Sequence, residues 1–226
     1  MSDAMPSITP PQPDRNAQTG MPGRSNALLA LVYVNAFVSG AVIMSFEMLG
    51  SRYLNPYFGS GIYTWAALIS SVLAALAIGY FIGGWLGDRR PSPALLGACI
   101  IAASFYLMAV PAIAEAAFVP IFDAIADARL GAMAAAMLIL FVPLMVLGFY
   151  SPFAIRLVLV DPHNSGRVSG RIYGISTLGS IFGVLFTTFY LVPSFGTRSN
   201  TIGIAACAFL AGLSFVLSGR KKARLQ

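Results

Sequence analysis

The sequence predicts an all-α integral membrane protein with six transmembrane helices and both termini in the cytoplasm. Of its 226 residues 58% are hydrophobic and 10% are charged, and the mean hydropathy is +0.79. Soluble domains do not have this balance. Polar junctions divide the chain into six apolar runs, each of the roughly 20 residues that cross a bilayer core. Lys and Arg crowd onto every second junction, which is the asymmetry that sets the orientation of membrane helices.

Each apolar run is a predicted span. In chain order the spans are Ala27–Leu49, Ile62–Leu86, Ala94–Phe118, Leu130–Ile155, Ile172–Pro193 and Thr201–Leu217. The proline-rich, polar residues 1–25 cannot bury a core and are predicted to form a disordered cytoplasmic tail. We therefore expect a six-helix domain at 26–218, followed by a basic cytoplasmic tail at 219–226.

The basic residues decide the predicted orientation. With the N-terminus inside, the cytoplasmic side holds Arg15, Arg24, Arg89, Arg90, Arg156, Arg167, Arg171, Arg220, Lys221, Lys222 and Arg224, and the outer side holds Arg52, Arg129 and Arg198. This split predicts a multi-pass protein of the inner (cytoplasmic) membrane. We attribute the net charge of +6 to anionic lipid headgroups and predict no nucleic-acid partner, because the basic residues flank the spans and form no groove.

The sequence lacks the common motifs of enzymes and metal sites. It contains no Walker sequence, no HExxH and no CxxC. Cys99 and Cys207 lie singly within spans, where they suit apolar packing, and the single histidine, His163, lies in a cytoplasmic junction. We predict no catalytic residue, no metal and no cofactor.

Glu47 carries the most information among the polar residues of the spans. An acidic side chain costs about 2.5 to 3.5 kcal/mol at mid-membrane and less toward the ends of a span. Two interpretations stay open: a structural ion pair with Arg52, five residues further on, and a site that attracts a cationic ligand. Asn35, near the middle of the same span, is expected to form a hydrogen bond across helices.

Other features predict packing and surface contacts. Gly179 and Gly183 form a GxxxG pattern, which predicts close helix packing. Asp88 and Arg89 end the second span, and Arg156 below the fourth span is a plausible partner for an ionic latch. The mixed acidic and apolar stretch 118–127 resembles an interfacial helix on the outer leaflet.

The stretch Gly84–Arg90, GWLGDRR, resembles the loop motif of the major facilitator superfamily, although Pro91 stands where that motif prefers glycine. Three further segments carry a closer resemblance: Glu47–Ser60 with Tyr63 after it, Gly148–Arg156 and Arg171–Gly183. Together these segments resemble the membrane domain of the fused MFS/spermidine synthases. Ser176 departs from that family, which usually shows asparagine there.

This resemblance implies a half-MFS-like bundle and a small cationic, polyamine-like substrate. The 226 residues hold no aminopropyltransferase-like domain, so we expect any chemistry to come from a separate soluble synthase-like enzyme. The leading hypothesis is transport or substrate handling without catalysis. In it Glu47 binds the cation, Arg52 orients Glu47 and Tyr63 lines the outer vestibule. The residues that hold the cytoplasmic gate closed are Asp88, Arg89 and Arg156.

Three alternatives stay open. The first is a homodimeric half-size transporter of an unrelated substrate, for which Gly179 and Gly183 offer a candidate dimer face. The second is a non-transporting membrane anchor or assembly subunit for a soluble enzyme. The third is a membrane enzyme, with Glu47, Glu115 and Tyr63 as the outer-side candidates.

Overall fold

The computed structural model describes residues 26–159 and 162–223, and six helices in these ranges are long and apolar enough to cross a membrane. They are α1 (Asn26–Phe58), α2 (Ile62–Arg89), α3 (Pro93–Ala124), α4 (Ala128–Val158), α5 (Pro162–Ser194) and α6 (Thr197–Ala223). The described residues contain no strand, so the predicted all-α, six-helix class is confirmed. The predicted tail at 1–25 and residues 224–226 of the predicted basic tail lie outside the described ranges.

Several helices run past the predicted ends of their spans. The first was expected to end at Leu49, but α1 continues to Phe58 and ends at Gly59, which has a φ of 72° and donates its backbone N–H to the carbonyl of Asn55 at 3.0 Å. This left-handed glycine is a common way to end a helix. The predicted ends were placed where polar residues begin. A helix does not have to end there, because its backbone hydrogen bonds persist in the headgroup region.

The predicted interfacial helix at 118–127 is wrong. The third helix continues unbroken to Ala124, and α4 begins at Ala128 after a turn. Asp127 caps α4, since its carboxylate accepts the backbone N–H of Arg129 at 2.8 Å. The apolar residues of this stretch therefore lengthen α3 and do not form a separate surface helix.

Three helix pairs make the most extensive contacts in the bundle: α1 with α5, α2 with α4, and α3 with α6. Glycines let each pair approach closely, because an added Cβ would come within 2.8 Å of the partner backbone. These glycines are Gly40, Gly179 and Gly183 in the first pair, Gly79 and Gly83 in the second, and Gly97 and Gly212 in the third. Small residues at helix interfaces are the usual means of close packing in membranes.

The pairing is symmetric between the two halves of the chain. Exchanging α1, α2 and α3 for α4, α5 and α6 converts the α1–α5 pair into the α2–α4 pair and leaves the α3–α6 pair unchanged. Because three spans carry the chain from one side of the membrane to the other, the second three-helix unit starts on the side opposite to the first. The pairing is therefore the one that an inverted three-helix repeat produces, an arrangement used by several transporter folds.

Both α4 and α5 contain a π turn that lies just before a proline. The turns are Met137–Phe141, before Pro143, and Thr187–Leu191, before Pro193. Proline has no N–H to donate, so a carbonyl in the preceding turn loses its helical partner. In α4 the carbonyl of Leu138, five residues before Pro143, accepts a 2.6 Å hydrogen bond from the hydroxyl of Tyr106 in α3.

The helices differ in how far their apolar residues are covered. The most apolar stretch of α4 is 50% buried, whereas that of α5 is only 17% buried and is the least covered of the six. Along α5 the exposed rings of Phe182, Phe186 and Tyr190 stack with centroid separations of 5.3 and 5.2 Å. One long face of α5 is thus apolar and uncovered within this chain.

Candidate functional site

Glu47 lies about two-thirds of the way along α1, and its side chain is only 8% exposed. Eleven residues separate it from the end of α1 at Phe58, which is about 16 Å along a helix axis. It shares a stripe of α1 with Gly40, which packs against α5, and with Gly50, which packs against Leu68 and Leu140. Glu47 therefore faces the interior of the bundle, well below the ends of the helices.

Within the described residues the Glu47 carboxylate has no ion-pair or hydrogen-bond partner. The structural ion pair with Arg52, one of the two interpretations left open, is not formed there. The reason is geometric, because residues five apart lie about 140° apart around a helix axis. Arg52 does not contact the group that it was expected to orient.

Arg52 instead lines a cavity of about 190 Å³ between α1 and the start of α2. The other lining residues are Ser51, Asn55, Ser60, Thr64, Trp65 and Leu68. Apart from Leu68 and the body of the tryptophan ring, this wall is polar. Sequence reasoning missed this cavity, because its lining depends on how the turn after Gly59 brings α2 back against α1.

Tyr63 lies at the same end of the bundle but does not line that cavity. Its half-exposed ring lies under the guanidinium of Arg129, whose Cζ is 4.2 Å from the ring centroid. Such a cation–π contact is worth about 0.5 to 1 kcal/mol at an exposed site. Arg52 and Tyr63 thus lie at one end of the bundle and Glu47 lies deeper in its interior, so the three residues predicted to bind substrate do not form a single cluster.

The opposite end of the bundle contains the predicted latch. Nε of Arg156 in α4 is ion-paired with the carboxylate of Asp88 in α2, so the structure brings these two residues together as expected. Arg89 is not part of this pair, and its guanidinium lies over the ring of Trp85 at 4.2 Å. That the pair acts as a gate stays a prediction.

Gly179 and Gly183 pack against Phe37 and Ala41 of α1 in the same chain. Both glycines are buried by this contact. A second copy therefore does not meet this chain through them, and a dimer would have to use another surface.

The chain matches no protein-family model, no curated protein and no solved structure. Among the residues that the structure describes, no group of three His, Cys, Asp or Glu side chains comes together to hold a metal ion.

A second, larger cavity of about 780 Å³ runs between α1, α5 and α6. Asn35 in its wall donates from Nδ2 to the carbonyl of Leu31 at 2.9 Å and to Oγ of Ser214 in α6 at 3.3 Å. The predicted hydrogen bond of Asn35 across helices is confirmed. No feature of the sequence indicated this cavity, whose other walls are mainly apolar.

Proposed function

We propose that this integral membrane protein binds and moves a small cationic, polyamine-like solute, with Glu47 as the cation-binding group. The observation that carries the proposal is an acidic side chain that is only 8% exposed and has no cationic partner in the described residues. The resemblance to the membrane domain of fused MFS/spermidine synthases suggests the substrate class. It also suggests a separate soluble synthase-like enzyme as a partner.

The chemistry of a buried carboxylate supports a cationic ligand. An ionised carboxylate is costly to remove from water unless it is paired and hydrogen-bonded. A protonated amine supplies both a positive charge and N–H donors, and charge-assisted hydrogen bonds of this kind are about twice as strong as neutral ones. Glu47 is therefore suited to a ligand that carries an ammonium group.

The fold supports movement of the ligand as well as binding. The symmetric pairing of the helices is typical of transporters that expose a central site alternately to each side. Asp88 and Arg156 join α2 to α4 at the predicted cytoplasmic end, where breaking and re-forming one ion pair would open and close a path. Glu47 lies between this pair and the outer end of the bundle.

A half-size transporter that works as a homodimer is the second candidate, and the uncovered face of α5 favours it. That face is apolar, aromatic and long, so it is suited to contact with lipid or with the helices of a second copy. Two copies would together supply the twelve helices of a full major facilitator. This candidate uses the same Glu47 site.

The test is the thermal stability of the purified protein with putrescine, spermidine and choline, measured on wild type, Glu47→Gln and Glu115→Gln. A ligand at 100 times its dissociation constant adds about 2.7 kcal/mol to the stability of a protein that binds it. We expect one of these cations to stabilise the wild type and Glu115→Gln, whose carboxylate is exposed on α3, but not Glu47→Gln. Uptake of that cation into proteoliposomes should fail in the same variant.

Stabilisation and uptake that survive in Glu47→Gln would contradict the assignment of Glu47. A wild type that responds to none of the cations would contradict the function itself. It would favour the non-transporting anchor or assembly subunit.

A further inference from the structure

A small polar cavity lies at the predicted outer end of the bundle. The cavity of about 190 Å³ that Arg52 lines lies between α1 and α2, beside the turn that joins them. Arg52 is six residues from the end of α1, or about 9 Å along the helix axis. Trp65 forms part of the wall, and tryptophan is enriched at the level of lipid headgroups. The cavity is therefore placed at the interface between bilayer and water.

The hydroxyl groups of the cavity divide into those that are engaged and those that are not. Ser51 donates its hydroxyl to the carbonyl of Met48 at 2.7 Å, and Thr64 donates to the carbonyl of Phe58 at 3.3 Å. These two hydroxyl hydrogens are used within the chain. The donors of the other polar side chains in the wall therefore remain available to a ligand.

The unengaged donors all belong to residues around Arg52. In the described part of the chain, the side chains of Arg52, Asn55, Ser60 and Trp65 make no hydrogen bond or ion pair with protein groups. A guanidinium has five N–H donors, an amide has two, and a hydroxyl and an indole have one each. The lining contains one positive charge and no carboxylate. These four side chains are exposed to solvent, so their donors are free to bind an anionic acceptor that enters the cavity.

We propose that this cavity binds an oxyanion, either the phosphate of a phospholipid headgroup or a free phosphate or carboxylate from solution. The planar guanidinium of Arg52 matches the geometry of two anionic oxygens, and Asn55 and Ser60 supply further hydrogen bonds. A volume of about 190 Å³ is far above the roughly 10 to 15 Å³ that one water molecule needs, and it is enough for a phosphate or carboxylate group.

This site is independent of the cationic solute proposed for Glu47. The two residues lie on different faces of α1, and Glu47 is not part of the cavity wall. An anion held by Arg52 would fix the outer end of α1 against the start of α2.

The test measures thermal stability in an uncharged maltoside detergent while one of two probes is added. The first probe is inorganic phosphate, compared with chloride at equal ionic strength, and the second is dioleoylphosphatidylglycerol, compared with a detergent blank. Arg52→Gln removes the charge of the site. Arg198→Gln removes the same charge from an exposed residue at the start of α6, outside the cavity wall. Asn55→Ala removes a donor while it keeps the charge.

We expect at least one probe to stabilise the wild type, with half-saturation at about tenfold higher concentration in Arg52→Gln, as follows from losing a hydrogen bond to a charged group. Asn55→Ala should give a smaller shift and Arg198→Gln none. A response to phosphatidylglycerol alone identifies a lipid headgroup, and a response to phosphate identifies an anion from solution. Equal responses of Arg52→Gln and Arg198→Gln would overturn the proposal, as would a wild type that responds to neither probe.

Discussion

The carboxylate of Asp88 at the end of α2 is ion-paired with Nε of Arg156 near the end of α4. The two residues are 68 positions apart in the chain, and they join the helices that Gly79, Gly83 and Gly148 already hold close together. Their side chains are 60% and 49% exposed, so solvent screens the attraction between them. The pair is therefore suited to break and re-form without unfolding the bundle.

The first prediction is that this pair adds little to stability. We expect Asp88→Asn and Arg156→Gln to lower the free energy of unfolding by less than about 1 kcal/mol each, and the double variant to lose no more than the larger single loss. Thermal unfolding in detergent measures this double-mutant cycle. If the pair acts as a gate, Asp88→Asn changes the rate of transport far more than stability, whereas Arg89→Gln, which removes a cation–π contact, leaves the rate unchanged.

The second prediction concerns the glycines between α1 and α5. A Cβ at Gly179 would lie 2.0 Å from the carbonyl oxygen of Phe37, so Gly179→Ala must push the two helices apart. We expect the variant to be destabilised by about 1 to 3 kcal/mol. Gly174→Ala is the matched control, because it lies on the same helix with open space around it and should be tolerated. Similar melting temperatures for the two variants would show that α1 and α5 do not pack as described.

The third prediction concerns the π turn of α4. Tyr106→Phe removes the hydroxyl that donates to the carbonyl of Leu138, five residues before Pro143, which has no N–H to offer that carbonyl. We expect a loss of about 1 kcal/mol in unfolding free energy, the usual scale for a hydrogen bond between helices in a membrane. Tyr190→Phe should change nothing measurable, since that residue is exposed on α5. An unaltered Tyr106→Phe protein would mean that the carbonyl finds another partner.

The fourth prediction concerns orientation. Six crossings return the chain to the side from which it started. In a chain whose Cys99 and Cys207 are replaced by Ser, we expect Cys introduced at Ser60 to react with an impermeant thiol reagent added outside intact cells. Cys introduced at His163 should react only after the cells are opened. The reverse labelling would place the Arg-rich ends outside and contradict the charge argument.

The spans and the latch were predictable from local features. Long apolar runs identify membrane helices because the backbone must satisfy its own hydrogen bonds in lipid. The pairing of Asp88 with Arg156 was expected because opposite charges at the ends of neighbouring spans attract each other. The ends of α1 and α3 were predicted too early, because helices continue into the headgroup region where polar residues are no longer costly.

The residues near Glu47 show where prediction from the sequence stopped. Glu47 and Arg52 are five positions apart, and a short separation suggested an ion pair. The helical rise and twist instead direct the two side chains to different faces of α1. The donors around Arg52 come from α1, the following turn and α2, so no short sequence motif predicts that they line one cavity.

Composition and charge placement by themselves determined the class of the protein, the number of its helices and its predicted orientation, because the cost of burying polar groups in a bilayer acts on each segment separately. The tertiary structure alone decided which helices pair and that Gly179 and Gly183 face α1 of the same chain. It also decided that Glu47 does not form the expected ion pair with Arg52. These outcomes depend on the relative rotation and separation of helices. Both are set by contacts between residues far apart in the chain.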